Sequence, residues 1–258
     1  MNFFVDTAYR PTRLVIGLET FEPKTMYIVV RDAKNKETQY TNRYNTVDGR
    51  EEFEILMPVS PKRTEVVVRS ERELAGEKTD DQYRVYKARR NDLYTGHFDF
   101  SPQTGRKDAD DFIEFAEEFS SRASYASAGG SIYTSDNGKY RIKYLDVIRD
   151  NASGRELKTP ARISRTTGMI EVSKQHFAGY TIPMRMAILL HEFSHFYVNQ
   201  NSSSEIEADL NALAMYLQRG YPTIDAYNVF TMVFAESPTD VNKERFEQID
   251  SFIKSYRK

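Results

Sequence analysis

A change of hydrophobic period partway along the chain constrains its fold more than any other feature. Up to about Arg90 the apolar residues fall in short segments, RLVIGLE, MYIVVRD, TQYTNRY, EEFEILM, TEVVVRS and QYRVYKA, rich in β-branched and aromatic side chains. Turn-forming stretches such as DAKNK, TVDGR and VSPKR separate them. Spacing of this kind predicts an antiparallel β-sandwich or small barrel over residues 1–90. Nothing in that region assembles catalytic residue types. It reads as an interaction or attachment module able to hold a protein partner, with a plain structural role as the simpler alternative.

Beyond it the texture changes. Residues 91–107, NDLYTGHFDFSPQTGRK, form a Gly- and Pro-punctuated connector. Asp108 is placed to cap a helix over Ala109–Ser121, whose apolar face is Phe112, Phe115, Ala116 and Phe119. ASAGGS breaks the chain. Two extended segments follow, KYRIKYLDVI and ARISRTTGMIEVS, the second turning as a hairpin near Gly168. From Pro183 the period is helical: Met184–Val198, Ser203–Arg219 closed by Gly220 and Pro222, Thr223–Ala235, and Thr239–Tyr256. Strands, then a helix with a small sheet, then helices predict an α+β protein with a second domain over 108–258.

The 258 residues contain no cysteine, so neither a disulfide framework nor a thiolate metal site is open to the chain. Any transition metal must be held by histidine and carboxylate. A formal net charge of -2 gives no reason to expect a nucleic-acid or acidic-membrane partner. The basic run Lys87–Arg90 reads as a solvated strand end. No secretory signal peptide and no apolar run of membrane-spanning length are visible, which predicts a cytoplasmic or virion-associated protein.

Two of the four histidines lie in AILLHEFSHFYV, where His191-Glu192-Phe193-Ser194-His195 has the form H-E-x-x-H. On an α-helix, positions i and i+4 share a face, so both imidazoles can reach one ion. Glu192 sits about 100° round from His191, where it flanks the ion as a base for water that the metal activates. Two metal-free histidines in a core are common. Here they share their face with Met184, Ala187 and Ile188, and two buried imidazoles without a common partner would be costly there.

A third ligand must come from elsewhere, and the next helix offers Glu205, Glu207 and Asp209. Ile206, Leu210, Leu213 and Leu217 define its apolar stripe within about 40°. Glu205 and Asp209 share one flank of that stripe, and Glu207 lies on the other, some 160° from Asp209. Capping can run from Ser204 to Glu207, leaving Glu205 free, or from Ser202 to Glu205. The phase favours Glu205 over Glu207 as ligand, with Asp209 one turn on to orient an imidazole.

HEFSH followed closely by EIEADLNALA resembles the gluzincin metallopeptidases, in which H-E-x-x-H is completed by E-x-x-x-D on the following helix. The E-x-x-A-D form is most similar to the ImmA/IrrE branch, over about residues 108–219. The resemblance implies a zincin-like metallopeptidase domain and one zinc ion per chain. It makes His191, His195 and Glu205 the ligands, Glu192 the general base, and Asp209 the support of a ligand imidazole. No histidine follows His195. Stabilisation of the transition state therefore falls to a tyrosine or an upstream histidine, with Tyr216 and His176 as candidates and Tyr221 and Tyr227 behind them. His97, in the connector, reads as structural.

These observations predict a zinc-dependent peptidase acting on a peptide or protein substrate, with MIEVS as an edge strand that pairs with the substrate. The alternative is a structural or assembly protein, for example a virion component, that retains the zinc domain without needing proteolysis. Glu192 favours the enzyme, since a purely structural ion does not need it.

Overall fold

The computed structural model describes residues 1–77, 82–93, 107–198, 203–235 and 238–256. The chain divides into two compact units, Met1–Phe98 with Gly220–Pro222, and Asp99–Arg219 with Thr223–Lys258. The protein is mixed α+β, and among the described residues no helix is long and apolar enough to cross a membrane.

The first unit is built from β1 (Asn2–Asp6), β2 (Thr12–Thr20), β3 (Lys24–Asp32), β4 (Gln39–Val47), β5 (Arg50–Met57), β6 (Arg63–Ser70), the short helix α1 (Glu71–Leu74) and β7 (Tyr83–Asp92). Its strands form two open antiparallel sheets, ordered β1-β6-β3-β4 and β5-β2-β7, and not one closed barrel. Alternation drives this arrangement. Leu14, Ile16 and Leu18 of β2, Met26, Ile28 and Val30 of β3, and Val66 and Val68 of β6 are almost fully buried, while Val29 and Val67, on the other face of their sheet, are covered as well. The outward positions of the three-stranded sheet carry cross-strand ion pairs. Arg13 meets Glu54, Glu19 takes both Arg50 and Arg84, and Glu52 takes Lys87 at 2.7 Å. The basic run is thus a solvated face, as its alternation implies.

The second unit contains α2 (Lys107–Arg122), β8 (Ser131–Thr134), β9 (Arg141–Leu145), β10 (Ala161–Ile163), β11 (Ile170–Ser173), α3 (Lys174–Phe177), α4 (Ile182–Phe193), a π-helical turn (Ser194–Val198), α5 (Glu205–Gln218), α6 (Thr223–Ala235) and α7 (Asp240–Tyr256). α2 starts at Lys107, so Asp108 lies within its first turn and not at the cap. Its expected apolar face is buried throughout. The sheet order is β10-β11-β9-β8, with β11 and β9 parallel and the other pairs antiparallel. The expected hairpin is present, and Gly168 turns it with φ 68°.

β11, the MIEVS strand, lies between β10 and β9, so the edge strands of the sheet are β10 and β8. The edge assignment made from sequence is therefore corrected. β11 pairs in parallel with β9, a partner 28 residues earlier in register, which no local pattern announces.

α4 is the central helix of this unit. Thr181 caps it by accepting from the Met184 N–H, and Ile182–Leu190 are buried without interruption. That run includes Arg185, wholly buried, whose guanidinium donates to the carbonyls of Ser120 at 2.6 Å and Phe177 at 3.1 Å. The charge thereby closes the ends of α2 and α3 over the middle of the unit.

Candidate metal centre

Each part of the centre follows from a local cause. His191 and Glu192 stand in the last turn of α4, and His195 stands in the π-helical turn that continues it. The Ser194 hydroxyl donates to the Leu190 carbonyl at 2.7 Å, a back-bond that bends helices and here coincides with the change from α to π. Stacking fixes the far side of the same segment. Phe193 lies flat between Phe112 at 4.2 Å and Tyr197 at 5.0 Å, with Tyr140 edge-on to both Phe193 and Tyr197. The Tyr197 hydroxyl reaches the Gly168 carbonyl at 3.3 Å, tying the turn to the β10–β11 hairpin.

α5 begins at Glu205 because Ser204 caps it, accepting from the Glu207 N–H at 3.2 Å. Of the two capping possibilities, this is the one that leaves the Glu205 carboxylate unoccupied. Glu207 points to solvent and Asp209 is buried. The apolar stripe expected over Ile206, Leu210, Leu213 and Leu217 is turned from its predicted centre. Ile206 and Leu210 are only half-buried, and Ala208, Asp209, Ala212 and Tyr216 are fully inside. Small alanines let α4 and α5 approach closely, so the polar flank of α5 becomes its interior.

The result is a tight triangle. His191 Nε2 and His195 Nε2 are 3.1 Å apart, and each is 3.4 Å from a different oxygen of Glu205. Tetrahedral zinc with bonds of about 2.0–2.1 Å requires ligand atoms roughly 3.3 Å apart. The three side chains therefore fit a metal ion, and among the described residues no other cluster of histidines and acids can hold one. Two imidazoles and a carboxylate also match the donor preference of zinc.

Around the triangle the charges are ordered. His191 Nδ1 lies 2.8 Å from Asp209 Oδ1, an ion-pair distance that lacks the straight N–H···O line of a full hydrogen bond. Among the described residues, His195 Nδ1 has no hydrogen-bond partner. Burial pulls the His191 imidazole down, but the Asp209 and Glu205 carboxylates outweigh it and push its pKa up to about 10. Hydrogen bonds from His191 and His195 hold Glu205 far below the usual carboxylate range. Burial raises the pKa of Glu192, against the pull of both histidines and a hydrogen bond from the Ile163 N–H. Glu192 is thus joined to the edge strand β10.

Arg245 of α7 was not legible from the sequence. It pairs with Asp209, lies 3.4 Å from Glu205 and stacks over Phe234 at 4.7 Å. The only trace it leaves locally is one basic residue among many in an amphipathic helix. Tyr216 is wholly buried, His176 sits on α3, and neither lines the cleft at the triangle. Tyr221 and Tyr227 do not line it either. Tyr227 instead donates to Asp250 at 2.8 Å. His97 lies outside the described residues.

The triangle opens into a cleft of about 340 Å³. The lining includes an apolar group, Val229, Phe230, Val233 and Phe234 of α6, and the segment Thr159–Ile163 that includes β10. Such an arrangement can bind an extended chain across an ion with a buried carboxylate beside it. No family model, curated protein or solved structure matches the chain.

Proposed function

We propose that the protein is a zinc-dependent peptidase of the gluzincin type, with a β-sandwich as its N-terminal module and a zincin-like domain carrying the site. The observation that carries this reading is the position of Glu192. It is a buried carboxylate beside the metal triangle but not part of it, and it faces the cleft. A structural zinc site is closed by four protein ligands and needs no free carboxylate beside it, whereas three ligands leave a position open for water.

His191, His195 and Glu205 would hold the ion. When bound, zinc supplies Lewis-acid polarisation of a carbonyl and makes water acidic enough to deprotonate near neutrality. Glu192 accepts that proton and passes it to the leaving amine, a transfer favoured by a carboxylate whose pKa burial has raised. The free backbone edge of β10 pairs with the substrate chain, and the α6 wall receives an apolar side chain. Arg245 and Asp209 keep the His191 ring in place.

Glu192→Gln tests the reading because it preserves size while removing basicity. The variant should keep its zinc and its melting temperature and lose peptide hydrolysis by about 10²–10⁴-fold. His191→Ala, measured beside it, should lose zinc. A zinc-loaded wild type that cleaves nothing in a broad peptide library, with Glu192→Gln indistinguishable from it, would leave a metal-tied scaffold instead.

A further inference from the structure

Not all the charge along the cleft belongs to the metal centre. Arg165 is exposed two residues beyond β10 and lines the cleft. Lys158, exposed three residues before β10, lines a continuation of the cleft that shares Thr159, Pro160, Phe234 and Arg245 with it. Neither has an ion-pair partner among the described residues. Between them Arg162 pairs with Glu171 at 2.7 Å, and Lys143 lies 3.4 Å from the other oxygen of that carboxylate. Two cations there share one anion. The acids that line the cleft, Glu192 and Glu205, are both taken up by the metal centre. In a chain of net charge -2, the border of the cleft along the edge strand is thus locally positive.

We propose that the cleft selects extended peptides bearing carboxylates on both sides of the bound stretch, with Lys158 and Arg165 receiving them at the two ends of the β10 segment. The selection rests on the peptidase reading for its chemistry. A strand added along β10 has its backbone matched by the sheet edge whatever its sequence, so discrimination falls to side-chain contacts at the ends. Unlike a paired surface charge, a free cation there loses no existing partner on meeting an anion. The carboxylate can come from an Asp or Glu side chain or from the free C-terminus of a peptide.

The test uses fluorescent peptides with one common centre and Glu, Gln or Lys on each flank. Each is made with a free and an amidated C-terminus. Binding is measured to the zinc-loaded Glu192→Gln full-length protein, and cleavage to the wild type. Glu-flanked peptides should bind about fivefold to tenfold more tightly than Gln-flanked ones at low salt, with Lys-flanked ones weakest and the difference shrinking at about 0.5 M salt. A Glu preference that survives amidation assigns the ligand to the side chains; an equal loss of binding on amidation, whatever the flanking residue, assigns it to the chain terminus. Arg165→Glu and Lys158→Glu, checked for zinc content, should each turn the preference at one flank toward lysine. Equal binding of Glu- and Gln-flanked peptides with no loss on amidation, or unchanged binding in both charge swaps, overturns the proposal even where wild type hydrolyses peptides. Selective binding without any cleavage keeps the proposal and removes the peptidase.

Discussion

Arg245 grips both oxygens of Asp209, with Nε 2.7 Å from Oδ2 and Nη2 3.0 Å from Oδ1. Asp209 is 1 % exposed, and its Oδ1 is the atom that faces His191. The guanidinium therefore neutralises a carboxylate that could not stay charged alone in that position.

Arg245→Met should leave that buried charge without its partner. Breaking such a pair costs about 3–5 kcal/mol, and loss of an outer support of a metal ligand typically lowers affinity about 10–100-fold. Zinc titration and thermal melting of the variant check both. Wild-type values for each would mean that Asp209 holds His191 unaided.

Glu205 and Glu207 provide a matched comparison on one helix turn. Glu205→Ala removes one corner of the triangle and should weaken zinc binding beyond the roughly 100-fold ceiling for an outer partner. Glu207→Ala alters an exposed side chain and keeps the backbone N–H that donates to the Ser204 cap, so its effect should stay within about 0.5 kcal/mol. Isothermal titration of both variants decides, and a reversed order would move the ligand to Glu207.

The pH dependence differs in sign between metal-free and metal-loaded protein. The folded pKa of His191 lies above the ordinary imidazole value of 6.5, so its contribution to stability is complete below 6.5 and is lost as pH climbs toward about 10. Glu205 is depressed from 4.5, so its contribution is present above 4.5 and is lost as pH falls further. After chelation, the melting temperature should therefore decline between pH 7 and 10. Zinc affinity should rise over pH 6–8, because the ligand imidazoles must shed their protons. A zinc affinity that fell with pH over that range would rule out imidazole ligation.

Gly168 has φ 68°, and a Cβ added there would stand 2.5 Å from the Tyr197 hydroxyl and 2.8 Å from the Phe196 ring. Gly168→Ala should cost about 1–3 kcal/mol from the left-handed backbone and the displaced rings. It should also move β10 relative to His195. Denaturant unfolding measures the first effect, and the affinity for an uncleaved peptide measures the second. A variant unchanged in both would show that the hairpin does not rely on this contact.

Much of the fold could be read because its signals are local. Six strands of the first unit announce themselves by alternation, and the helices of the second by period and caps such as Thr181 and Ser204. β1 and β8 were missed, since NFFVD and SIYT are short and gain their strand character from partners β6 and β9. α1 is four residues held by one Ser70–Glu73 capping box, too brief for periodicity. His191, Glu192, His195, Glu205 and Asp209 were legible because helical angles alone place them on facing flanks. Arg245, the position of β10 at the sheet edge, and the buried side of α5 were not. Each depends on which elements pack together, and the spacing of residues within one helix carries no record of that.

The π-helical turn that bears His195 should give the centre one fast joint. Helical hydrogen bonds in such a turn are wider and fewer, so its amides should exchange with solvent through small local openings while α4 stays intact. His191 and Glu205 stand on ordinary α-helix, and His195 stands on the π-helical turn. Exchange of the ion with a chelator should then be timed by the breathing of one helical turn and not by unfolding of the domain. A protein very resistant to denaturant could still give up its metal quickly.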